Sequence, residues 1–176
     1  SHYVRPNSAI DKEACKRGGE VKSFVHRLVY SCGNGLDGIC FKDDNDGDGN
    51  TFLNRKIELK KGAFDINGVY SPDGLISYAF LENKFCLNEN SLIKFDVYAE
   101  EYAVIKLTLY ELDLNGEIKK YSYSGEFKAE KLWQNSLVKI TEFKSEVGFA
   151  VKNYGGIIAL GIKSESKFLI NNVLVV

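Results

Sequence analysis

Residues 91–112 (SLIKFDVYAEEYAVIKLTLYEL) constrain the fold more than any other part of the chain. Apolar and polar residues alternate from Ile93 to Val97, and they alternate again from Ile105 to Leu109. Because successive side chains on a strand point to opposite faces, each run has one apolar face and one polar face. The pattern predicts two half-buried antiparallel strands. The few residues between them predict a hairpin at the centre of a sandwich.

Turn signals divide the rest of the chain into short segments. Residues 71–74 (SPDG) place Pro and Gly where a β-turn requires them. Residues 113–116 (DLNG) end in Asn-Gly, a strong hairpin signal. Apolar runs recur at intervals of roughly ten residues with no sustained amphipathic helix. The sequence therefore predicts an all-β, antiparallel β-sandwich formed by a single domain over residues 1–176. We expect residues 1–50 to be an irregular arm and a Cys- and Asp-rich loop packed on that domain.

The charge and the hydropathy of the chain bear on its partners. The 23 basic and 24 acidic residues give a net charge of -1, and they are interspersed along the sequence. Binding to nucleic acid calls for a clustered basic surface, which the sequence does not display. No apolar run approaches the roughly 20 residues of a membrane-spanning helix. We therefore expect neither a nucleic-acid partner nor insertion into a membrane.

The cysteines are Cys15, Cys32, Cys40 and Cys86, and no two of them form a CxxC pair. This spacing disfavours a zinc site. In an exported domain we expect two disulfides. Of the three connectivities, we favour Cys32–Cys40 with Cys15–Cys86, because it closes a Gly-rich loop locally and ties the arm to the body. The alternative is four reduced, buried thiols.

An acidic loop, DDNDGDGN, resembles a calcium-binding loop in its spacing. Its oxygen-bearing residues Asp44, Asp46, Asp48 and Asn50 alternate with other residues, and Gly allows the loop to turn tightly. Calcium takes six to eight oxygen ligands, which such loops supply. The complete EF-hand motif is absent, because Arg55 stands where its Glu is required. The sequence predicts a structural calcium here, with a solvated acidic loop as the alternative.

Three segments from about Leu75 onward carry a family resemblance. They are residues 92–100 (LIKFDVYAE), residues 132–143 (LWQNSLVKITEF) and residues 167–173 (KFLINNV). In order and spacing they resemble the β-jelly-roll carbohydrate-binding modules of secreted polysaccharide-degrading enzymes, family 11 and its relatives. The resemblance implies a jelly-roll sandwich of the galactose-binding-domain-like class. Asn171 departs from the family, which usually has Asp at this position.

The resemblance implies a non-catalytic module, secreted or at the cell surface, that holds a poly- or oligosaccharide. It also implies attachment to other modules of the same polypeptide. An aromatic ring covers the apolar face of a sugar, and polar groups bind its hydroxyls. The candidate ligand contacts lie on the polar faces of the two central strands, on the strand that resembles a cleft strand of family 11, and on the strand after the central pair, where two tyrosines share one face. They are Tyr78, Phe80, Asp96, Tyr98, Lys106, Tyr110, Tyr121 and Tyr123. The alternative is cross-strand pairing that only stabilises the sheet.

Other interpretations of the same residues stay open. We expect Trp133 to pack at the sandwich edge, with ligand stacking as its alternative role. An adhesion or structural module binding a protein partner would use the tyrosines in a flat apolar patch. A jelly-roll polysaccharide lyase would need a tyrosine, a basic residue and a carboxylate clustered in a cleft, with perturbed pKa values. The sequence contains no nucleophile elbow and no phosphate-binding glycine loop.

Overall fold

A computed structural model of the chain describes residues 27–30, 50–52, 57–80 and 87–175. These residues form eleven strands joined by turns and short 3-10 helices. In chain order the strands are β1 Arg27–Tyr30, β2 Asn50–Phe52, β3 Glu58–Lys61, β4 Asn67–Tyr70, β5 Leu75–Phe80, β6 Leu92–Ala99, β7 Ala103–Leu112, β8 Ile118–Phe127, β9 Gln134–Lys139, β10 Ile157–Lys163 and β11 Phe168–Val175. Among the described residues, no helix is long and apolar enough to cross a membrane.

The strands form two antiparallel sheets that pack as a sandwich. Sheet A has the order β3-β4-β11-β6-β9, and β1 also pairs with β11. Sheet B has the order β2-β5-β10-β7-β8. This arrangement confirms the predicted all-β sandwich and corresponds to the jelly-roll class. The core lies between the sheets, because every second residue of the central strands is apolar and points inward.

Strands β6 and β7 supply opposite walls of that core. Phe95 and Val97 of sheet A are fully buried, as are Ile105 and Leu107 of sheet B. The predicted hairpin between these two strands is therefore wrong: β6 pairs with β9 and β11, whereas β7 pairs with β8 and β10. Residues 100–102 carry the chain from one sheet to the other. Periodicity identifies which face of a strand is buried, but it does not say whether a neighbouring strand lies beside it or across the core.

Both predicted turns are confirmed. The backbone N–H of Gly74 donates to the carbonyl oxygen of Ser71 at 3.1 Å, and Gly74 has a φ of 71°. In the turn between β7 and β8, the N–H of Gly116 donates to the carbonyl oxygen of Asp113, also at 3.1 Å. Gly116 has a φ of 78°, which glycine adopts without the steric cost that a Cβ brings.

The predicted disulfides cannot be compared with the described part of the fold. Cys15, Cys32, Cys40 and Cys86 all lie outside the described residues, as does most of the predicted arm over residues 1–50. The disulfide pairing therefore stays a prediction.

Candidate functional site

The candidate residues of β6 lie on the outer face of sheet A. The carboxylate Oδ2 of Asp96 accepts a hydrogen bond from Asn172 Nδ2 at 2.8 Å, and its Oδ1 is buried without a hydrogen-bonding partner among the described residues. Asn172 belongs to an irregularity in the pairing of β6 with β11, and its φ is 50°. Neighbouring Asn171, 1% exposed, donates through Nδ2 to the carbonyl oxygen of Asn67 at 2.8 Å. Asp96 thus contacts a bulge of its own sheet.

Tyr98, the other candidate on β6, packs against Trp133, with their ring centroids 5.8 Å apart. The indole of Trp133 lies directly on backbone, since a Cβ added at Gly68 would come within 2.6 Å of its Cη2 atom and one at Gly62 within 2.8 Å of its Cζ2 atom. The indole N–H donates to the carbonyl oxygen of Ala63 at 3.1 Å. These contacts give Trp133 a packing role, on the outer face of sheet A rather than in the central core.

The candidate tyrosines of β8 point to the core side of sheet B. Tyr121 pairs with Leu109 and is 2% exposed, and Tyr123 pairs with Leu107. The ring of Tyr123 lies 6.1 Å from that of Phe143, centroid to centroid. The two tyrosines do share one face of their strand, as the alternation indicated. Because that face is the buried one, they do not join a solvent-facing groove with the other candidates.

Tyr121 is linked to a buried carboxyl group at one end of the sandwich. Burial raises the pKa of Tyr121 above its ordinary value, and the charge and hydrogen bond of Glu111 raise it further, whereas a hydrogen bond with the backbone of Lys152 opposes them. Glu111 is itself 2% exposed and accepts a hydrogen bond from the backbone N–H of Asn153 at 2.8 Å. This cluster attaches the loop that precedes β10 to strand β7. It is a structural contact inside the core, not a cleft.

The outer face of sheet B carries a row of small side chains that crosses its strands. Ser77 pairs with Gly161, Gly161 with Thr108, and Thr108 with Ser122. The hydroxyl groups of Thr108 and Ser122 are hydrogen-bonded at 2.9 Å. Their neighbours along each strand point into the core, so these four residues point outward. We call this set of four residues the floor row. It forms a low strip that runs perpendicular to the strands.

Tyr110 stands beside the floor row and leans over it. A Cβ added at Gly161 would lie 3.1 Å from both Cε2 and the hydroxyl oxygen of Tyr110. Only a residue without a side chain leaves room for the phenol to lie against β10 at this point. Lys120 pairs with Tyr110 across β8, and its Nζ lies 5.9 Å from the centroid of the tyrosine ring. Tyr110 is partly exposed and presents a ring and a hydroxyl group next to the floor row.

The other flank of the floor row carries Lys106, which is exposed and pairs with Lys163 of β10. Of the eight candidate ligand contacts, Lys106 and Tyr110 are thus brought together on one outward surface. Tyr78 and Phe80 lie on β5 of the same sheet, where Tyr78 pairs with Leu160 and Phe80 with Asn50. The side chains of these two residues are outside the described part of the chain, so their role stays a prediction.

Sequence reasoning missed two features of this surface. The first is the role of Gly161 in making room for Tyr110, which becomes evident only when Tyr110 is seen to lie on the neighbouring strand. The second is Lys144, which forms backbone hydrogen bonds with Ser122 at 2.8 and 3.0 Å and so extends the edge of sheet B beyond β8. The signal for Gly161 was a glycine inside a strand, which often marks close approach of another group.

Of the predicted calcium ligands, the structure describes Asn50 alone. Asp44, Asp46 and Asp48 lie outside the described residues, and Asn50 is the first residue of β2. Within the described ranges, no group of three or more His, Cys, Asp or Glu side chains is placed to hold a metal ion. The calcium prediction therefore stays a prediction.

Comparison with solved structures identifies the fold. The chain is similar to a family 11 carbohydrate-binding module from Clostridium thermocellum in complex with a β-1,3-1,4-mixed-linked tetrasaccharide, at a TM-score of 0.53 and 15% identity, covering 86% of this chain and 95% of that one. It is also similar to the CBM22-1 xylan-binding domain of Paenibacillus barcinonensis Xyn10C, at a TM-score of 0.51 and 11% identity, covering 86% and 94%.

A third similar structure is the C-terminal family 22 module of Clostridium thermocellum Xyn10B, at a TM-score of 0.50 and 9% identity, covering 90% of this chain and 94% of that one. No protein-family model and no curated protein sequence matches the chain. At these identities the likeness shows the fold alone. The chain has the jelly-roll fold of carbohydrate-binding modules over most of its length.

Proposed function

We propose that this chain is a non-catalytic carbohydrate-binding module that holds a poly- or oligosaccharide on the outer face of sheet B. The observation that carries the proposal is the floor row with Tyr110 beside it. A strip of small side chains leaves room for a chain of sugars lying across the strands. The aromatic ring of Tyr110 contacts the apolar face of one sugar, and hydroxyl and ammonium groups around it bind the rim.

The fold supports this proposal independently of the surface. Similar structures are named for the saccharides that they bind, a mixed-linked tetrasaccharide in one case and xylan in another. The present chain covers 95% and 94% of those modules, so the likeness extends over the whole binding unit. By the same reasoning we propose that the chain is secreted or displayed at the cell surface, and that it is joined to other modules.

Substitution of Tyr110 tests the site. Tyr110→Ala removes the ring beside the floor row, and we expect binding to a retained polysaccharide to weaken at least about tenfold, equivalent to about 1.4 kcal/mol. The measurement is an affinity-gel or glycan-array screen with the folded domain, followed by calorimetry on the best ligand.

The matched control for that experiment is Tyr70→Ala. Tyr70 is also a partly exposed tyrosine with a lysine over its ring, Lys60 Nζ lying 3.8 Å from the ring centroid, but it belongs to sheet A. We expect this variant to bind like the parent chain. An equal loss of saccharide binding in both variants, or no loss in Tyr110→Ala, would contradict a binding site on sheet B. Failure to bind any saccharide would contradict the proposed function.

A second candidate function, binding to a protein partner, is favoured by one observation. The hairpin between β7 and β8 ends in apolar side chains that face solvent: Leu112 is 42%, Ile118 48% and Leu114 100% exposed. Leu112 and Ile118 are paired across the two strands, so they form one small patch. If the saccharide screen fails, Leu114→Ser with a cross-linking readout on the parent polypeptide becomes the test.

A further inference from the structure

Basic side chains are concentrated around the floor row. Lys106 of β7 and Lys163 of β10 stand on one flank, and Lys120 of β8 stands on the other beside Tyr110. Lys144 extends the row beyond β8 through its pairing with Ser122. All four lysines are exposed. Since neighbouring strands are about 4.8 Å apart, these lysine positions span about 14 Å across the sheet.

Acidic side chains do not balance this surface. Among the described residues that point outward from sheet B, the acidic side chain is Glu126. Glu126 raises the pKa of Tyr102 through a hydrogen bond to its hydroxyl group, with smaller contributions from desolvation and from its charge. This single carboxylate stands against the four exposed lysines, so the described outward residues of sheet B keep a net positive charge. The whole chain has a net charge of -1, so the basic surface reflects a local segregation of charge.

The outer face of sheet A gives the contrast. There Glu58 and Asp96 occupy outward positions together with Lys60 and Lys94, so both signs of charge are present. The basic character is thus particular to sheet B.

The pairing of Lys106 with Lys163 is unfavourable for the folded chain alone. The two residues lie directly opposite each other on adjacent strands, where like charges destabilise a sheet. Within the described part of the chain, neither ammonium group has an ion-pair or hydrogen-bonding partner, and both side chains are exposed. An anionic group placed between them would offset this repulsion, and the surface is therefore suited to a negatively charged ligand.

We infer that the outer face of sheet B selects an acidic polysaccharide, one that carries carboxylate or sulfate groups, over a neutral one. The inference rests on the proposed function and adds the class of the ligand. The anionic groups of successive sugars pair with Lys106, Lys163 and Lys144, and the ring of Tyr110 contacts a sugar face. A nucleic-acid strand is a poorer match, because it stacks successive bases on several aromatic rings. Among the described residues beside the floor row, a single aromatic ring, that of Tyr110, is present.

The test compares pairs of polysaccharides that differ only in charge, and it adds single-stranded DNA as a nucleic-acid probe. The probes are polygalacturonate, the same polymer with its carboxyl groups reduced, a sulfated galactan with its desulfated form, and single-stranded DNA. We expect the charged polymers to bind more tightly than their neutral counterparts. Raising the salt from about 0.01 M to about 1 M shortens the Debye length from about 30 Å to about 3 Å and should remove that difference.

The protein variant for this test is Lys106→Gln with Lys163→Gln, and we expect it to bind the charged polymer about tenfold more weakly. The control is Lys60→Gln with Lys94→Gln, which makes the same change in net charge on sheet A and should bind normally. Urea unfolding checks that the first variant is folded; we expect its stability to be unchanged or raised, because the like-charge pair is relieved.

The outcomes separate this inference from the proposed function. Preference for the carboxylated or for the sulfated polymer, lost in the sheet B variant, supports the inference and identifies the anionic group. Equal binding of charged and neutral polymers, or equal loss in both variants, overturns the inference while the proposed function stands. Tighter binding of DNA with the same lysine dependence overturns it in favour of a nucleic-acid partner. Binding of no saccharide overturns both.

Discussion

At the scale of single residues, similar sequence positions lead to different roles. Tyr98 and Tyr110 both follow the alternation of a central strand and both point away from the core. Tyr98 is packed against Trp133, whereas Tyr110 lies over Gly161 beside the floor row. The difference comes from what the neighbouring strands place beside each ring. A residue's periodicity therefore predicts that it faces outward, but it does not predict whether it is free to bind.

The position of Tyr110 depends on Gly161, and a double-mutant cycle tests this. A Cβ at Gly161 would lie 3.1 Å from the flexible end of the Tyr110 side chain, so Gly161→Ala should displace the phenol with little loss of stability. We expect saccharide binding by the single variant to weaken several-fold. In a Tyr110→Ala background the same substitution should have no further effect. Calorimetric titration of the four proteins provides the measurement, and additive losses would contradict the proposed dependence.

Tyr121 leads to a prediction about stability and pH. Its pKa is raised in the folded chain, first by burial and then by Glu111. The folded state therefore holds this proton more tightly than the unfolded state does. This contribution is fully present below the ordinary tyrosine pKa of about 10 and is lost as the pH rises through the higher folded value.

Tyr121→Phe removes that ionisation, so we expect a smaller loss of stability above about pH 10 than in the parent chain. At neutral pH the variant should be less stable by about 1 kcal/mol, because buried Glu111 loses a hydrogen-bonding partner. Urea unfolding between neutral and alkaline pH is the measurement. Saccharide binding should be unchanged, and an unaltered alkaline profile would argue against the assigned cause.

At the scale of elements, the two sheets differ in the side chains that cover their outer faces. Sheet A is covered where Trp133 lies on the backbone of Gly62 and Gly68, and its outward residues Leu169 and Asn171 are 6% and 1% exposed. Sheet B leaves its lysines in solvent. On sheet B, Thr108 and Gly161 of the floor row are buried, so the exposed lysines and the partly exposed Tyr110 are the groups that a ligand would meet.

The packing of Trp133 can be tested at Gly68. A Cβ there would lie 2.6 Å from Trp133 Cη2 and 3.0 Å from the Cβ of Leu169, and it has little room to move because backbone is also close. We expect Gly68→Ala to lower the free energy of unfolding by about 1–3 kcal/mol, the usual cost of overpacking. Trp133 is the single tryptophan of the chain, so its fluorescence should shift to the red as the indole is displaced.

Gly161→Ala is the control for this experiment, since it adds the same methyl group to the outer face of the other sheet and should leave the tryptophan emission unchanged. Unchanged stability and emission in Gly68→Ala would mean that the cover of sheet A tolerates an added methyl group, and that the indole is not held against the strand.

At the scale of the whole molecule, local patterns predicted the elements better than their partners. The period-two runs predicted β6 and β7, and the Asn-Gly turn predicted the β7–β8 hairpin, because both signals depend on neighbouring residues. The crossing of residues 100–102 between sheets, and hence the separation of Asp96 from Lys106, depends on contacts far apart in sequence. The floor row also depends on contacts far apart in sequence, because only the strand order of sheet B brings Ser77 and Ser122 into one row.

The acidic loop gives the prediction with the widest consequence for the fold. Asp44, Asp46, Asp48 and Asn50 supply oxygen ligands suited to calcium, and Asn50 begins β2, the strand at one edge of sheet B. We expect calcium at about a hundredfold excess over its dissociation constant to stabilise the chain by about 2.7 kcal/mol. For a chain of this length, that corresponds to a rise in Tm of about 5–10 °C, reversed by a chelator.

Asp46→Ala should abolish this response to calcium, because it removes one carboxylate of the loop. Asp73→Ala, which removes an exposed carboxylate from the turn before β5, should retain the response. Scanning calorimetry with calcium and with chelator measures both variants against the parent chain. Saccharide binding at Tyr110 should survive chelation, because the floor row is built from β5, β10, β7 and β8 and not from the loop. A Tm that is independent of calcium would make the loop a solvated acidic segment.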